Sequence, residues 1–93
     1  MMNFEWDDAK ARTNLSRHGV SFDEAESVFG DPLSIDVPDP LHSDDEDRFI
    51  AIGFSKAGRL LVVVHSESGE VVRIISAREG TRREREKYEE ERT

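Results

Sequence analysis

The chain has 93 residues, 35% of them hydrophobic and 37% charged, with a formal net charge of -8. That length allows one domain with one modest core, and the lack of cysteine excludes a disulfide scaffold and a thiolate metal site. No apolar run reaches the roughly 18 residues of a membrane span, no basic-then-apolar signal opens the chain, and a cysteine-free chain of this kind fits a reducing cytoplasm.

The charge is uneven. Residues 1–47 hold 13 acidic and 3 basic side chains, while residues 48–93 hold 8 acidic and 10 basic. An acidic chain is a poor general nucleic-acid coat, yet its second half has room for a local basic site. Direct DNA binding is disfavoured, because phosphate contacts dominate such affinity.

In chain order, "NFEW" (3–6) reads as a short edge strand. Asp7 is a candidate N-cap for a helix over 8–18, which Gly19 ends. Ala11, Leu15 and His18 share one face of it, the expected buried side. Lys10, Asn14, Arg17 and His18 form a polar stripe, read as a solvated face with His18 buried at its edge. Ser21 and Glu24 read as a capping box opening a second helix to about Phe29, and "GDP" (30–32) stops it. "LSIDV" (33–37) alternates as a strand with one wet face. "PDPLHSDDED" (38–47) is an acidic loop. His42 and its acidic neighbours match no ordered metal loop, so no metal is expected there.

"RFIAIGFS" (48–55), "LLVVVHS" (60–66) and "VVRIISAR" (71–78) are Val- and Ile-rich strands joined by glycine-containing hairpins. Centring the turns on Ala57–Gly58 and Ser68–Gly69 pairs 54 with 61 and 65 with 72. That register groups Arg48, His65 and Glu67 at one end of a face and puts Arg73 and Arg78 on opposite faces. "TRRE" (81–84) is a capping box opening a final helix to about Glu91. Tyr88 is the only apolar side chain in that helix's body, so the helix is expected to be solvated or covered by a partner. The sum is one α+β domain: a four-stranded antiparallel meander with two N-terminal helices and one C-terminal helix.

"RIISAREGTRRER" (73–85) places five arginines in thirteen residues. Guanidinium binds phosphate in a two-pronged way, and a helix N-terminus is an anion site. A ridge balanced by Glu79, Glu84 and Glu86 is the other reading. There is no P-loop, Rossmann fingerprint, HExxH motif or nucleophile elbow, and no cofactor is expected.

"FEWDDAKARTNLSRHGVSFDEAESVFGDP", "HSDDEDRFIAIG" and "RIISAREGTRREREKYEE" together resemble the BrnT family of toxins, in order and over nearly the whole chain. The resemblance implies a small antiparallel sheet with helices, like that of the RelE ribonucleases. It further implies a toxin of a type II toxin–antitoxin system that cleaves RNA without a metal. The implied partner is a BrnA antitoxin, whose ribbon-helix-helix module would make any DNA contact. Glu79 and Gly80 stand where the family ending reads a basic residue and alanine. For this chemistry Arg78, Arg82 and Arg83 are the expected phosphate-binding groups, with Arg48 and His18 the next catalytic candidates and no individual roles assigned within the set. His18, His42 or His65 could move protons, and Lys10, Arg59 and Arg73 are candidate RNA contacts. A binding module acting only through its antitoxin is the alternative.

Overall fold

Local capping sets the helices where the sequence places them. The computed structural model describes residues 2–40 and 48–91. Asp7 accepts the Lys10 amide and caps α1 (Asp8–His18), and Gly19 closes it in the left-handed region at φ 68°. Ser21 caps α2 (Phe22–Glu26), which tightens into a 3-10 turn over Ser27–Gly30. Thr81 and Glu84 form a reciprocal capping box at the start of α3 (Arg82–Glu90). Ser21 and Glu24 do not, because the Glu24 carboxylate is drawn away to Ser55 and Arg59.

The strands are β1 (Asn3–Glu5), β2 (Ile35–Pro38), β3 (Arg48–Phe54), β4 (Leu60–Ser68) and β5 (Val71–Glu79). They form one five-stranded sheet in the order β1-β5-β4-β3-β2. β1 runs parallel to β5, and the other pairings are antiparallel. This corrects the expected four-stranded antiparallel sheet of the RelE kind: the sheet is mixed. Three residues carry too little periodicity to reveal a partner, and a parallel pairing needs a long crossover, which the chain between β1 and β5 supplies.

The hairpin register also differs. Phe54 pairs with Leu60, and Gly53 with Leu61, one residue from the expected pairing. A one-residue slip exchanges every side chain between faces. Leu61, Val63 and His65 therefore share a face with Ala51 and not with Ile52. The second hairpin pairs Glu67 with Val72, and the register shifts again between Val64 and His65. The residue added there, Ile75, restores the face. Arg73 opposes Ser66 and Arg78 opposes Val62, so the two arginines share a face instead of dividing between two. Arg48, opposite Ser66, lies on that face too and not beside His65.

Each face has its own core. Ala51, Leu61, Val63, Ile74 and Ala77 pack under Val20, Phe22, Ala25 and Val28. On the other face Ile52, Leu60 and Val62 surround Tyr88. Tyr88 is only 2% exposed. α3 is solvated along most of its length, as expected, but one aromatic anchor docks it on the sheet, T-shaped on Phe54 at 5.3 Å. Its hydroxyl donates to Asp31 Oδ2 at 2.6 Å. Asp31 also accepts the Leu33 and Phe54 amides, tying the 3-10 turn, β3 and α3 together. Among the described residues, no helix is long and apolar enough to cross a membrane.

Candidate active-site cleft

β1 is too short to cover β5. It pairs only with Val71, Val72 and Arg73, which would leave the following backbone groups of the edge unsatisfied. Asn14 of α1 takes the place of a strand. Its amide nitrogen donates to the Ala77 carbonyl at 2.8 Å and the Val20 carbonyl at 2.9 Å, and its oxygen accepts the Ala77 N–H at 3.0 Å. The helix therefore turns a polar residue, not Leu15, toward the sheet. Asn14 is buried, and Leu15 is 52% exposed. The expected apolar face of α1 is corrected accordingly; only Ala11 of that face packs on the core.

Beside this clamp, α1 and the β5 edge enclose a cleft of about 280 Å³. Lys10, Thr13, Arg17 and His18 line the helical side, and Ile75 and Ser76 the strand side. The spacing of 10, 14, 17 and 18 puts these groups on one helical face. The polar stripe is thus the wall of a cleft. His18 is exposed in it, not buried as expected. Among the described residues, no carboxylate is paired with Lys10 or Arg17. The cleft so combines two cations, an imidazole and two hydroxyls in a strongly acidic chain.

The expected arginines Arg78, Arg82, Arg83 and Arg48 do not line this cleft. Arg78 is bound through two nitrogens by Glu84, at 2.8 and 2.7 Å. That pair holds the Glu84 carboxyl down at about 2, the hydrogen bond from Arg78 being the largest cause. Arg82 is 93% exposed, with Glu86 at 3.6 Å, and Arg83 is exposed on the first turn of α3. Arg59 clasps Glu24, the Gly19 carbonyl and Glu79. Its hydrogen bond to Glu24 is the main reason that carboxyl is lowered. Arg73 pairs with Glu5 at 2.7 Å, and Arg48 is half-buried on the α3 face. His65 is fully buried, and His42 lies outside the described residues. Of the expected set, Lys10 and His18 come together. Arg17, Thr13 and Ser76 join them: Arg17 belongs to the polar stripe of the sequence, whereas nothing in the sequence marks Thr13 or Ser76.

The family model of the BrnT ribonuclease toxins of type II toxin–antitoxin systems matches residues 6–84. The chain belongs to the BrnT family. The 1.1 Å crystal structure of the Brucella abortus ribonuclease toxin BrnT is similar, with 25% sequence identity and a TM-score of 0.68. The likeness covers 88% of this chain and 100% of that one. No curated protein matches the chain. Membership of a BrnT toxin family implies an RNA substrate and an antitoxin partner. The motif residues that carry the family resemblance, Lys10, Asn14 and His18 with Ile75 and Ser76 of "RIISAR", converge on the one cleft.

Proposed function

We propose that the chain is a metal-independent endoribonuclease toxin that binds and cleaves RNA in the α1–β5 cleft. A BrnA-like ribbon-helix-helix antitoxin holds it inactive, and DNA is met only through that antitoxin. The observation that carries this reading is the convergence of Lys10, Arg17 and His18 around an open cleft in a chain of net charge -8.

RNA supplies its own nucleophile. The 2′-oxygen attacks phosphorus, the P–O2′ bond forms and the P–O5′ bond breaks. The 2′-hydroxyl gives up a proton, and the departing 5′-oxygen gains one. An imidazole is suited to such transfers, and His18 is the exposed one among the described residues. Lys10 and Arg17 oppose the charge that develops on the phosphoryl oxygens. Arg82 and Arg83, exposed at the start of α3, are proposed to hold phosphates beyond the cleft. Arg59, Arg73 and Arg78 are engaged by carboxylates and serve packing.

Induction in cells and incubation of purified protein with RNA in EDTA test this. Growth arrest and cleavage are expected, both lost in Lys10→Ala with His18→Ala. A folded protein that neither arrests growth nor cuts RNA rejects the enzyme and leaves a module that binds antitoxin alone. Cleavage unchanged in the double variant rejects the cleft.

A further inference from the structure

No residue of the cleft takes part in a second constellation, which lies on the face of the sheet that α2 covers. His65 of β4 is 0% exposed. Its Nε2 lies 3.2 Å from Asp36 Oδ1 on β2, and its Nδ1 lies 3.4 Å from Glu67 Oε2 on β4. Phe29 meets the ring edge-on at 4.9 Å and Phe49 stacks on it at 5.7 Å. Two aromatic neighbours thus fix the ring plane and keep both nitrogens facing the acids.

A neutral imidazole has one N–H and one lone pair, and a carboxylate only accepts. Nε2–H can donate to Asp36. Nδ1 then presents its lone pair to the Glu67 carboxylate, and Nδ1 is buried with no hydrogen-bond partner. An orphaned buried acceptor aimed at an anion is unfavourable twice over. A cation between the two converts both into ligands.

We propose that His65 Nδ1 and the Glu67 carboxylate bind one divalent transition-metal ion of the zinc class, with Asp36 orienting His65 through its Nε2–H. One donor atom from each of the three residues lies within 4.8 Å of the other two. Tetrahedral zinc with bonds of about 2.0–2.1 Å holds neighbouring donors about 3.3 Å apart, and the Nδ1–Glu67 separation is 3.4 Å. A ligating histidine ordinarily donates its other ring N–H to a carboxylate, the place Asp36 occupies. Glu67 and Asp36 are partly exposed, which gives an ion access from solvent, and water would complete its coordination. The bound ion would lock His65 and Glu67 of β4 together, and the Nε2–H bond to Asp36 would carry that order across β3 to edge strand β2. It takes no part in RNA cleavage, so this site stands or falls separately from the cleft.

Chelator-stripped full chain titrated calorimetrically with zinc chloride tests it. The expected result is one zinc per chain, a rise in melting temperature and a shift of the His65 ring resonances in NMR spectra. Glu67→Gln abolishes all three, and Asp36→Asn weakens binding about 10- to 100-fold. Both positions are partly exposed, so both variants are expected to fold, which the NMR spectrum of the metal-free chain verifies. Absence of stoichiometric binding overturns the proposal. So does binding that Glu67→Gln leaves intact, or binding that His42→Ala removes, which would assign the ion to the acidic loop.

Discussion

Glu84 grips Arg78 with both carboxylate oxygens, at 2.8 and 2.7 Å, while the same Oε1 accepts the Thr81 amide at 2.8 Å. The acid that caps α3 therefore also neutralises the arginine near the end of β5. This explains how an acidic chain tolerates an arginine-rich junction. Arg73 is spent on Glu5 and Arg78 on Glu84, and Arg85 lies over the Phe54 ring at 5.5 Å. What looks in sequence like one basic patch is largely internal pairing.

That pair makes a pH prediction. Glu84 titrates at about 2 in the fold, against an ordinary value of 4.5. A carboxyl lowered by folding contributes stability above its unfolded value and loses it as pH falls through the folded one. Glu84→Gln is expected to cost about 1–2 kcal/mol at neutral pH, the pair being partly open to solvent. The gap should close between about pH 4.5 and 2. Urea unfolding of both proteins across that range measures it, and a gap independent of pH would contradict the assignment. Arg78→Ala should lower stability similarly while sparing RNA cleavage per folded molecule.

Tyr88 anchors α3, and its ring and its hydroxyl contribute separately. Tyr88→Phe keeps the ring and removes the hydroxyl that donates to Asp31, and should cost about 1–2 kcal/mol. Tyr88→Ala also empties the pocket formed with Ile52, Leu60 and Val62, and should cost about 3–5 kcal/mol. In the alanine variant the α3 amides should exchange with deuterium early while β4 stays protected. Equal losses for the two variants would mean that ring packing adds nothing.

These contacts show where sequence reading succeeds. Caps are local, so Asp7, Gly19, Ser21 and Thr81 mark helix ends that the structure keeps. β4 opens on the continuous apolar run Leu60–Val64 and β5 is rich in Val and Ile, so both strands are equally legible. Register is not local: one residue in the loop before Leu60 and one bulge near His65 move whole faces. Nor can periodicity show that a helix presents an asparagine to a sheet edge, since the reason lies 63 residues away at Ala77. The cleft was therefore visible as a polar stripe but not as a cleft.

Asn14 is expected to be the costliest polar residue on α1 to replace. Asn14→Leu leaves the Ala77 N–H and C=O and the Val20 carbonyl without their present partner. Each buried group so stranded costs about 1–3 kcal/mol, and water entering at the edge offsets part of this. A net loss of about 3 kcal/mol is expected from urea unfolding. Asn14→Asp should be no better, because it keeps the acceptor and sets a carboxylate against two carbonyl oxygens. A loss below 1 kcal/mol for both would show that α1 is held by other contacts.

Lys10 and Arg17 should act on RNA as charges, and His18 as a proton carrier, and salt separates the two roles. Each phosphate contact to a single strand contributes about 0.7 to the slope of log affinity against log salt. Lys10→Ala and Arg17→Ala should each lower that slope by roughly this amount, measured with RNA whose reactive 2′-hydroxyl is replaced by hydrogen. His18→Ala should leave the unfolding free energy unchanged and the RNA bound, while cleavage of the unmodified strand falls by about 10²–10⁴. A His18 variant that cuts at the parent rate would move the proton transfer elsewhere. Slopes unaltered in both cation variants would mean that the strand does not pass between α1 and the edge of β5.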